Sequence, residues 1–398
     1  MLDTPHDAAE AGEFRSPGPL TVELPEGKLT LVADGQDRLA AVLDLIAGAR
    51  LRLRLFYYAF AKDRAGTLVR DALAAAAGRG VAATLIVDDF AAIADERFLA
   101  PFTDAGGKVL RFSHRWNVRY LIRNHQKMLI ADDRAALVGG FNIEDAYFSP
   151  PQENGWNDLG AAIEGEGVAA MVRWFDMLEG WIENEGSHFR TIWRLVRDWD
   201  PGEGRVRLLV GGPTRGLSSW ARSVLRDIDC GHELDMMMAY FTPRGGIVRR
   251  IARLAARGRA RLVLAGKTDN FATIPASRSI YWRLLRCGAE IGEFRPCRLH
   301  AKLVVIDDVT YLGSANFDMR SLYLNLEVML RIEDAGLAAR MREYIAYHMD
   351  HSERITPELH RSRSGFLARI GRKLAWFLVA VADYALTRRL NLPPLPRR

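Results

Sequence analysis

The sequence contains few cysteines and no secretory signal, and both shortages limit the class of protein that it can encode. Of its 398 residues only three are cysteine, and Cys230, Cys287 and Cys297 have neither the number of a disulfide framework nor the spacing of a metal site. We therefore expect a reduced protein that holds no metal and needs no cofactor. The first residues lack a basic start and an apolar run, which favours a cytoplasmic location.

A net positive charge is missing from most of the chain. The net charge is +6, but residues 361–398 contain nine Lys or Arg and one Asp, so this segment carries +8 and the remainder −2. A slightly acidic body argues against a nucleic-acid-binding protein, and a local basic tail favours contact with an anionic surface. We therefore expect an anionic membrane as a partner and no nucleic acid.

The basic C-terminal tail, residues 356–398, also has an amphipathic pattern. Between Phe366 and Leu386 the charged residues fall on one side of a helical wheel and a broad apolar face lies on the other. The apolar run from Leu374 to Leu386 would span about 20 Å as a helix, short of the roughly 30 Å hydrocarbon core of a bilayer. The pattern predicts a peripheral protein whose tail lies on the cytoplasmic face of the membrane. Docking of the helix on its own domain is the alternative.

One polar pattern occurs twice in the chain. His125, Lys127 and Asp132 form the first copy of His-x-Lys, four residues, Asp, and a second copy begins at His300. Side chains two positions apart on a strand point to the same side, so each copy presents an imidazole and an ammonium to one pocket. A Gly-x-x-Asn group and a later acid follow each copy, namely Asn142 and Asp158, then Asn316 and Glu327.

Alternating strands and helices precede both copies and indicate a duplicated α/β domain. We expect a loose lead-in at residues 1–27, a first domain at 28–200 and a second domain at 201–355. Strands separated by helices of this length predict, in each domain, a mixed and mostly parallel sheet that is flanked by helices.

The duplicated motif resembles that of the phospholipase D superfamily, and the segments GGFNIEDAY and GSANFDMRSLYLNLE resemble its bacterial cardiolipin synthase branch. The resemblance implies two tandem domains related by pseudo-twofold symmetry, with the active site at their interface. It also implies an enzyme that converts two phosphatidylglycerol molecules to cardiolipin and glycerol. A phospholipase D that releases phosphatidic acid is the alternative, and a nuclease of the superfamily is less favoured. Asn157 departs from the branch, which usually has Arg at this position.

The two histidines are expected to have different roles in the displacement of an alcohol from a phosphodiester. One unprotonated imidazole attacks phosphorus and becomes a phosphohistidine, while a protonated imidazole supplies the leaving alkoxide with its proton. The resemblance favours His125 as nucleophile and His300 as acid, although the chain alone leaves the assignment open. Because one chain holds both motifs, a monomer is sufficient for the site.

The other motif residues are expected to support this chemistry. Charge on the phosphate oxygens has to be offset in the transition state, and Lys127, Lys302, Asn142, Asn316 and Ser314 are the candidates for this role. The resemblance implies that Asp158 and Glu327 bind the far nitrogen of the histidines and fix their tautomers. We expect Asp132 and Asp307 to be structural, because they lie at the far ends of their strands.

Overall fold

The computed structural model describes residues 13–112, 122–184, 191–214, 216–268, 272–363 and 365–378, which form two successive α/β halves. The strands of the first half are β1 (Leu20–Leu24), β2 (Gly27–Val32), β3 (Arg52–Tyr57), β4 (Ala82–Asp88), β5 (Lys108–Phe112), β6 (Lys127–Ala131), β7 (Ala135–Gly139), β8 (Trp156–Asn157) and β9 (Gly160–Gly165). Its helices are α1 (Gly35–Gly48), α2 (Arg64–Gly78), α3 (Glu96–Asp104), α4 (Ala169–Glu183) and α5 (Ile192–Asp198), with short 3-10 turns at Asp145–Tyr147, Pro151–Glu153 and Glu166–Val168.

The second half repeats most of this order of elements and has additional short ones. Its strands are β10 (Val206–Gly211), β11 (Glu233–Met238), β12 (Phe241–Thr242), β13 (Arg259–Ala265), β14 (Glu290–Phe294), β15 (Arg298–Leu299), β16 (Lys302–Ile306), β17 (Val309–Gly313), β18 (Phe317–Asp318), β19 (Glu327–Glu333) and β20 (Ser352–Arg354). Its helices are α6 (Ser219–Cys230), α7 (Gly245–Arg257), α8 (Thr273–Leu285), α9 (Met319–Tyr323), α10 (Ala335–Asp350), α11 (Pro357–Ser362) and α12 (Phe366–Trp376).

Each half contains one eight-stranded sheet, with the orders β1-β2-β9-β7-β6-β3-β4-β5 and β10-β19-β17-β16-β11-β13-β14-β20. The predicted mixed α/β sheets are therefore confirmed, but the prediction that they are mostly parallel is wrong. In each sheet five of the seven neighbouring pairs are antiparallel. Helical crossovers connect the parallel pairs β3–β4, β4–β5, β11–β13 and β13–β14, whereas hairpins such as β6–β7 and β16–β17 produce antiparallel neighbours.

A continuous apolar core lies between the two sheets and joins the halves. It includes Phe56 and Met128 of the first sheet, Leu303 and Leu330 of the second, and residues of α4 and α10. The outer faces have cores of their own, one against α1, α2 and α3 and one against α6, α7 and α8. Helices therefore flank both sheets, as predicted. Fully burying one large apolar side chain contributes about 1.5–3 kcal/mol. This shared core therefore holds the inner faces of the two sheets together.

Two short strand pairings cross between the halves next to the duplicated motif. Strand β8 pairs in parallel with β15, and an isolated parallel bridge joins Asn124 to Leu326. The amide of His300 donates to the carbonyl of Asn157 at 2.7 Å, and that of His125 donates to Leu326 at 2.9 Å. Each motif histidine is thus tied by its backbone to the opposite half.

Helix α12, the described part of the tail helix, packs against α8. The indole of Trp376 donates to the carbonyl of Pro243 at 3.4 Å and contacts a small apolar cluster around Met319 and Leu324. The rest of the predicted helix, from residue 379 onward, lies outside the described residues. Within the part of the chain that is described, no helix is long and apolar enough to cross a membrane.

Candidate active site

The two His-x-Lys pairs lie where the central strands β6 and β16 begin, at the interface of the halves. Their alternation along the strand gives histidine and lysine a common side, as the sequence predicts. Lys127 and Lys302 are each 1% exposed, and His300 is 5% exposed. Because a buried ammonium loses its hydration, two of them in one place favour the binding of an anion.

Each histidine is held by the acid of the opposite half. Nδ1 of His125 lies 3.1 Å from a carboxylate oxygen of Glu327, and Nδ1 of His300 lies 2.6 Å from Asp158. Both acids are fully buried. The Nδ1 contact leaves the other ring nitrogen, Nε2, as the reactive atom of each imidazole. This crossed arrangement makes either half incomplete without the other.

The lysines contact the histidines differently. Nζ of Lys127 donates to the carbonyl of His125 at 2.7 Å. Nζ of Lys302 lies 2.8 Å from Nδ1 and 3.0 Å from Nε2 of His300 and also donates to its carbonyl. The pKa of Lys127 is well below its usual range, because burial and the charge of Lys302 outweigh the attraction of Glu327. A bound phosphodiester anion would offset this excess of positive charge.

Both imidazoles are poor bases in the protein without an anion. Burial, followed by the charges of Lys127 and Lys302, holds the pKa of His125 well below its usual value. The same causes, with Lys302 the larger charge, lower the pKa of His300 to about 3 despite the attraction of Asp158. Both rings are therefore neutral at pH 7 and carry one proton each. In the tautomer with that proton on Nδ1, Nε2 has a free lone pair.

The two acids have opposite electrostatic environments. Burial raises the pKa of Glu327 to about 8, even though Lys127 and a hydrogen bond from Ser314 act against it. Burial also disfavours the charge of Asp158, but the attraction of Lys302 and His300 outweighs it and lowers its pKa. At neutral pH Asp158 is ionised, whereas Glu327 retains its proton in a large fraction of molecules.

Ser314, Asn142 and Asn316, which are predicted to bind phosphate, differ in how far their side chains are already hydrogen-bonded. The hydroxyl of Ser314 donates to Glu327. The amide of Asn142 accepts from the backbone of Ala59 at 3.2 Å and donates to the hydroxyl of Tyr147 at 3.2 Å. The side-chain carbonyl of Asn316 is buried and has no hydrogen-bond partner among the residues that the structure describes. Of the three, Asn316 has the side chain with unsatisfied hydrogen-bonding capacity.

Asp132 and Asp307 lie away from the histidines, in the turns after β6 and β16. Both have a left-handed backbone, with φ of 52° and 46°. Asp132 accepts from the amides of Arg50, Leu51 and Arg52 at 2.7–2.9 Å. Asp307 accepts from the amides at positions 232 and 233 at 2.9–3.3 Å. Each carboxylate thus ties its hairpin to the start of the neighbouring strand.

Two residues near the site were not identified from the sequence. Arg38 of α1 is 1% exposed and donates to the carbonyls of Asp158 at 2.6 Å, Tyr147 at 2.6 Å and Trp156 at 3.0 Å, as well as to residue 33. It thereby fixes the loop that presents Asp158. The hydroxyl of Tyr147 lies 3.4 Å from Nε2 of His300. No local sequence pattern distinguishes Arg38, whereas Tyr147 is the last residue of the GGFNIEDAY segment, which is a signal for a site residue.

Comparison with known proteins agrees with this geometry. A family model described as cardiolipin synthase, PLD-like domain, matches residues 42–178 and 225–349. Cardiolipin synthase 1 of Bacillus cereus is 27% identical over 351 residues, which cover 84% of this chain and 69% of that protein. The major cardiolipin synthase ClsA of Bacillus subtilis is 28% identical over 330 residues, 79% of this chain and 67% of that one.

A solved structure has the same fold over nearly the whole chain. Phosphatidylserine synthase of Haemophilus influenzae superposes with a TM-score of 0.73 at 16% identity, over 93% of this chain and 96% of that one. The segments matched by the family model cover more than half of the sequence. The protein therefore belongs to the phospholipase D superfamily, in its cardiolipin synthase-like branch of phosphatidyltransferase enzymes.

Proposed function

We propose that this protein joins two phosphatidylglycerol molecules to give cardiolipin and glycerol, through a phosphohistidine intermediate. The observation that carries the proposal is the pair of crossed histidine–acid contacts, His125 with Glu327 and His300 with Asp158, beside two buried lysines. Such a site has one imidazole for each of two tasks and a positive environment for a phosphodiester. Membership in the cardiolipin synthase-like branch supports the choice of lipid.

In the first step Nε2 of His125 attacks the phosphorus of one phosphatidylglycerol. The bond from phosphorus to the headgroup glycerol oxygen breaks, and that oxygen takes a proton from Nε2 of His300, so that free glycerol leaves. In the second step the headgroup hydroxyl of another phosphatidylglycerol gives its proton to His300, and its oxygen attacks phosphorus. The bond from phosphorus to His125 breaks, which restores the enzyme and yields cardiolipin.

The unlike surroundings of the histidines support this division of roles. The side chain of His125 is 14% exposed and that of His300 is 6% exposed, so His125 is the more open to a bulky lipid phosphate. The ammonium of Lys302 and the hydroxyl of Tyr147 lie within 3.4 Å of Nε2 of His300 and compete for its lone pair. The ionised Asp158 stabilises an imidazolium at His300, which an acid requires.

The buried lysines connect substrate binding to protonation of the acid. Lys127 and Lys302 hold down the pKa of both histidines in the free protein. A bound phosphodiester monoanion offsets their charge, which raises the pKa of His300 toward a value at which it can hold a proton. Substrate binding thereby prepares the acid. The same lysines then offset the charge that develops on phosphorus oxygens in the transition state.

The proposed site of action is the membrane surface, with the protein bound peripherally through its tail. Helix α12 and the two residues that follow it expose about half of each of four large apolar side chains, Ile370, Leu374, Phe377 and Leu378, which are spaced as one face of a helix. Its sequence is basic on the other side, as an interfacial helix on anionic lipid requires. A single chain carries both halves of the site, so a monomer is sufficient.

Mass spectrometry of lipids tests the reaction. The purified protein is incubated with phosphatidylglycerol vesicles, with His125→Ala and His300→Ala as inactive controls. We expect cardiolipin and glycerol in equal amounts, and neither product with the two variants. Phosphatidic acid in place of cardiolipin would mean that water is the acceptor and that the protein is a phospholipase D. Absence of both products would contradict the lipid substrate.

A further inference from the structure

A cavity lies apart from the candidate active site, where α8, α11 and α12 meet. It has a volume of about 570 Å³, which falls in the range of ligand pockets. Four of its seven described lining residues are cationic and none is acidic. The lining residues are Arg278, Ser279, Trp282, His360, Arg361, Arg372 and Lys373. A concave site with this composition is suited to an anion.

The positive charges in the cavity act on one another. Arg278 forms hydrogen bonds of 2.7 and 2.5 Å with the buried Glu293, which fixes its guanidinium at the wall. Arg372 belongs to α12 and donates to the carbonyl of Arg363 at 2.6 Å. Burial and then the charge of Arg278 lower the pKa of Arg372, although the charge of Glu293 acts against them. An anion beside these two guanidinium groups would offset the energetic cost of their charge.

The rest of the lining is suited to a headgroup at a membrane interface. The guanidinium of Arg361 lies 5.1 Å from the ring centre of Trp282, and His360 stacks on the same indole at 16° and 6.5 Å. Tryptophan is favoured where one end of a side chain is apolar and the other is wet. Ser279 adds a hydroxyl, which donates to the carbonyl of Ala276 and can accept from a ligand.

The same helix that lines the cavity also presents the exposed apolar face. Arg372 and Lys373 lie between Ile370 and Leu374 in the sequence, so cavity cations and exposed apolar side chains alternate around one short helix. If the apolar side chains enter the acyl region, the cavity is held at the depth of the phosphates. The apolar face, which is suited to acyl chains, and the cavity cations, which are suited to anionic headgroups, therefore lie within a few turns of one another.

We infer that the α8–α11–α12 cavity is a non-catalytic binding site for the phosphodiester headgroup of an anionic phospholipid. The site would anchor and orient the enzyme on the membrane that contains its substrate. This inference rests on the proposed peripheral binding of the tail, but not on the proposed transfer reaction. It also differs from a purely electrostatic tail, because it assigns the anion to one concave site.

The test is sedimentation with vesicles of phosphatidylglycerol and phosphatidylcholine, compared with phosphatidylcholine alone. All proteins carry His125→Ala, so that lipid is not consumed and binding is measured apart from turnover. We compare Arg372→Gln/Lys373→Gln with Arg388→Gln/Arg389→Gln, which removes the same charge from a later part of the tail sequence. Each lysine or arginine contact with anionic lipid contributes about 1 kcal/mol, so Arg372→Gln/Lys373→Gln should weaken vesicle binding about thirtyfold. Arg388→Gln/Arg389→Gln should weaken it less than about threefold. Equal losses would contradict a headgroup site.

A second pair of variants guards against displacement of α12 by the first. Ser279→Glu places a carboxylate in the cavity, and Ser362→Glu places one on neighbouring α11, where Ser362 also donates to a carbonyl three residues earlier. Only Ser279→Glu should reduce vesicle binding by about tenfold or more. Similar binding by both would overturn the inference.

A phosphate competition distinguishes the two sources of a phosphate group. Inorganic phosphate is added at constant ionic strength, with chloride as the reference salt. Since phosphate lacks the acyl chains that the apolar face would contact, we expect it to displace less than about a tenth of the bound protein at millimolar concentration. Full displacement would assign the cavity to free phosphate. Activity on a soluble short-chain phosphatidylglycerol reports separately on the proposed reaction.

Discussion

The two halves of the active site have the same residue types and unlike electrostatics. On one side His125 contacts Glu327, whose pKa burial raises to about 8. On the other side His300 contacts Asp158, whose pKa lies below its usual value because Lys302 and His300 outweigh burial. The backbone is duplicated, with each histidine amide donating to the carbonyl of the residue that precedes the opposite acid. The difference therefore comes from side chains rather than from the fold.

We propose that this difference allows a duplicated site to perform two different tasks. A histidine beside an ionised carboxylate can store a proton, and a histidine whose partner retains its own proton stays neutral and nucleophilic. The second ammonium, Lys302, touches both ring nitrogens of His300, whereas Lys127 contacts only the backbone of His125 among the described hydrogen bonds. Four predictions can break or sharpen this contrast.

The largest effect is expected from removing the histidines. His125→Ala and His300→Ala should each lower kcat for phosphatidylglycerol by at least about a thousandfold, because the first lacks the proposed nucleophile and the second lacks the proposed acid. A substrate with a nitrophenyl leaving group needs no acid, so it should restore His300→Ala by about a hundredfold or more and leave His125→Ala inactive. Steady-state rates measure this. The exposed His232→Ala is the control, and equal rescue of both variants would contradict the division of roles.

Removal of the acids should have an intermediate effect on activity. Asp158→Asn and Glu327→Gln keep the shape of each contact but replace the carboxyl group with an amide that cannot ionise, and loss of such a partner costs about 10- to 100-fold. Because the acid step depends on an ionised partner, Asp158→Asn should be the slower of the two with phosphatidylglycerol. With the nitrophenyl substrate the order should reverse. An unchanged order with both substrates would mean that the acids have the same role.

The same two variants should change stability in opposite directions. Folding raises the pKa of Glu327 from its usual 4.5 to about 8, so stability falls as the pH rises through that window. Glu327→Gln avoids this loss, and its Tm should exceed that of the natural protein at pH 9 and match it near pH 4.

Folding lowers the pKa of Asp158 below its usual 3.8, so its stabilising charge is present above that pH and is lost as the pH falls through the folded-state pKa. Asp158→Asn should therefore have a lower Tm than the natural protein at pH 7, and the gap should close toward pH 3. Scanning calorimetry over this range measures both variants. A lower Tm for Glu327→Gln at pH 9 would contradict the assigned burial effect.

The smallest effect is expected at Tyr147. Asn142 donates to its hydroxyl, whose own proton is then directed to Nε2 of His300 at 3.4 Å and favours the neutral ring. Tyr147→Phe should raise the pKa of His300 in the substrate complex, so that the alkaline limb of kcat moves to higher pH, with a change in rate of about threefold. Tyr344→Phe is the control, since that buried hydroxyl has no hydrogen-bond partner among the described residues. A pH profile that does not move would contradict the contact.

Local patterns explain which features could be predicted from the sequence. The alternation of a strand places His125 with Lys127, and an Asp-Asp pair marks the turn before β17, so these features are determined over a few residues. The fraction of parallel pairs was predicted wrongly, because alternating helices and strands do not give the order of strands in a sheet. The choice of acid for each histidine depends on how the halves pack, and so does the position of Arg38. The unlike pKa values of Asp158 and Glu327 arise only from burial and neighbouring charges.

The most direct test of the division of roles is to locate the phosphatidyl group on the enzyme. His300→Ala is mixed with the nitrophenyl-activated lipid, quenched at alkaline pH, where phosphohistidine survives, and digested for peptide mass spectrometry. The account predicts a phosphatidyl adduct on His125, and no adduct in the His125→Ala protein treated in the same way. An adduct on His300 in His125→Ala, with none on His125 in His300→Ala, would contradict it.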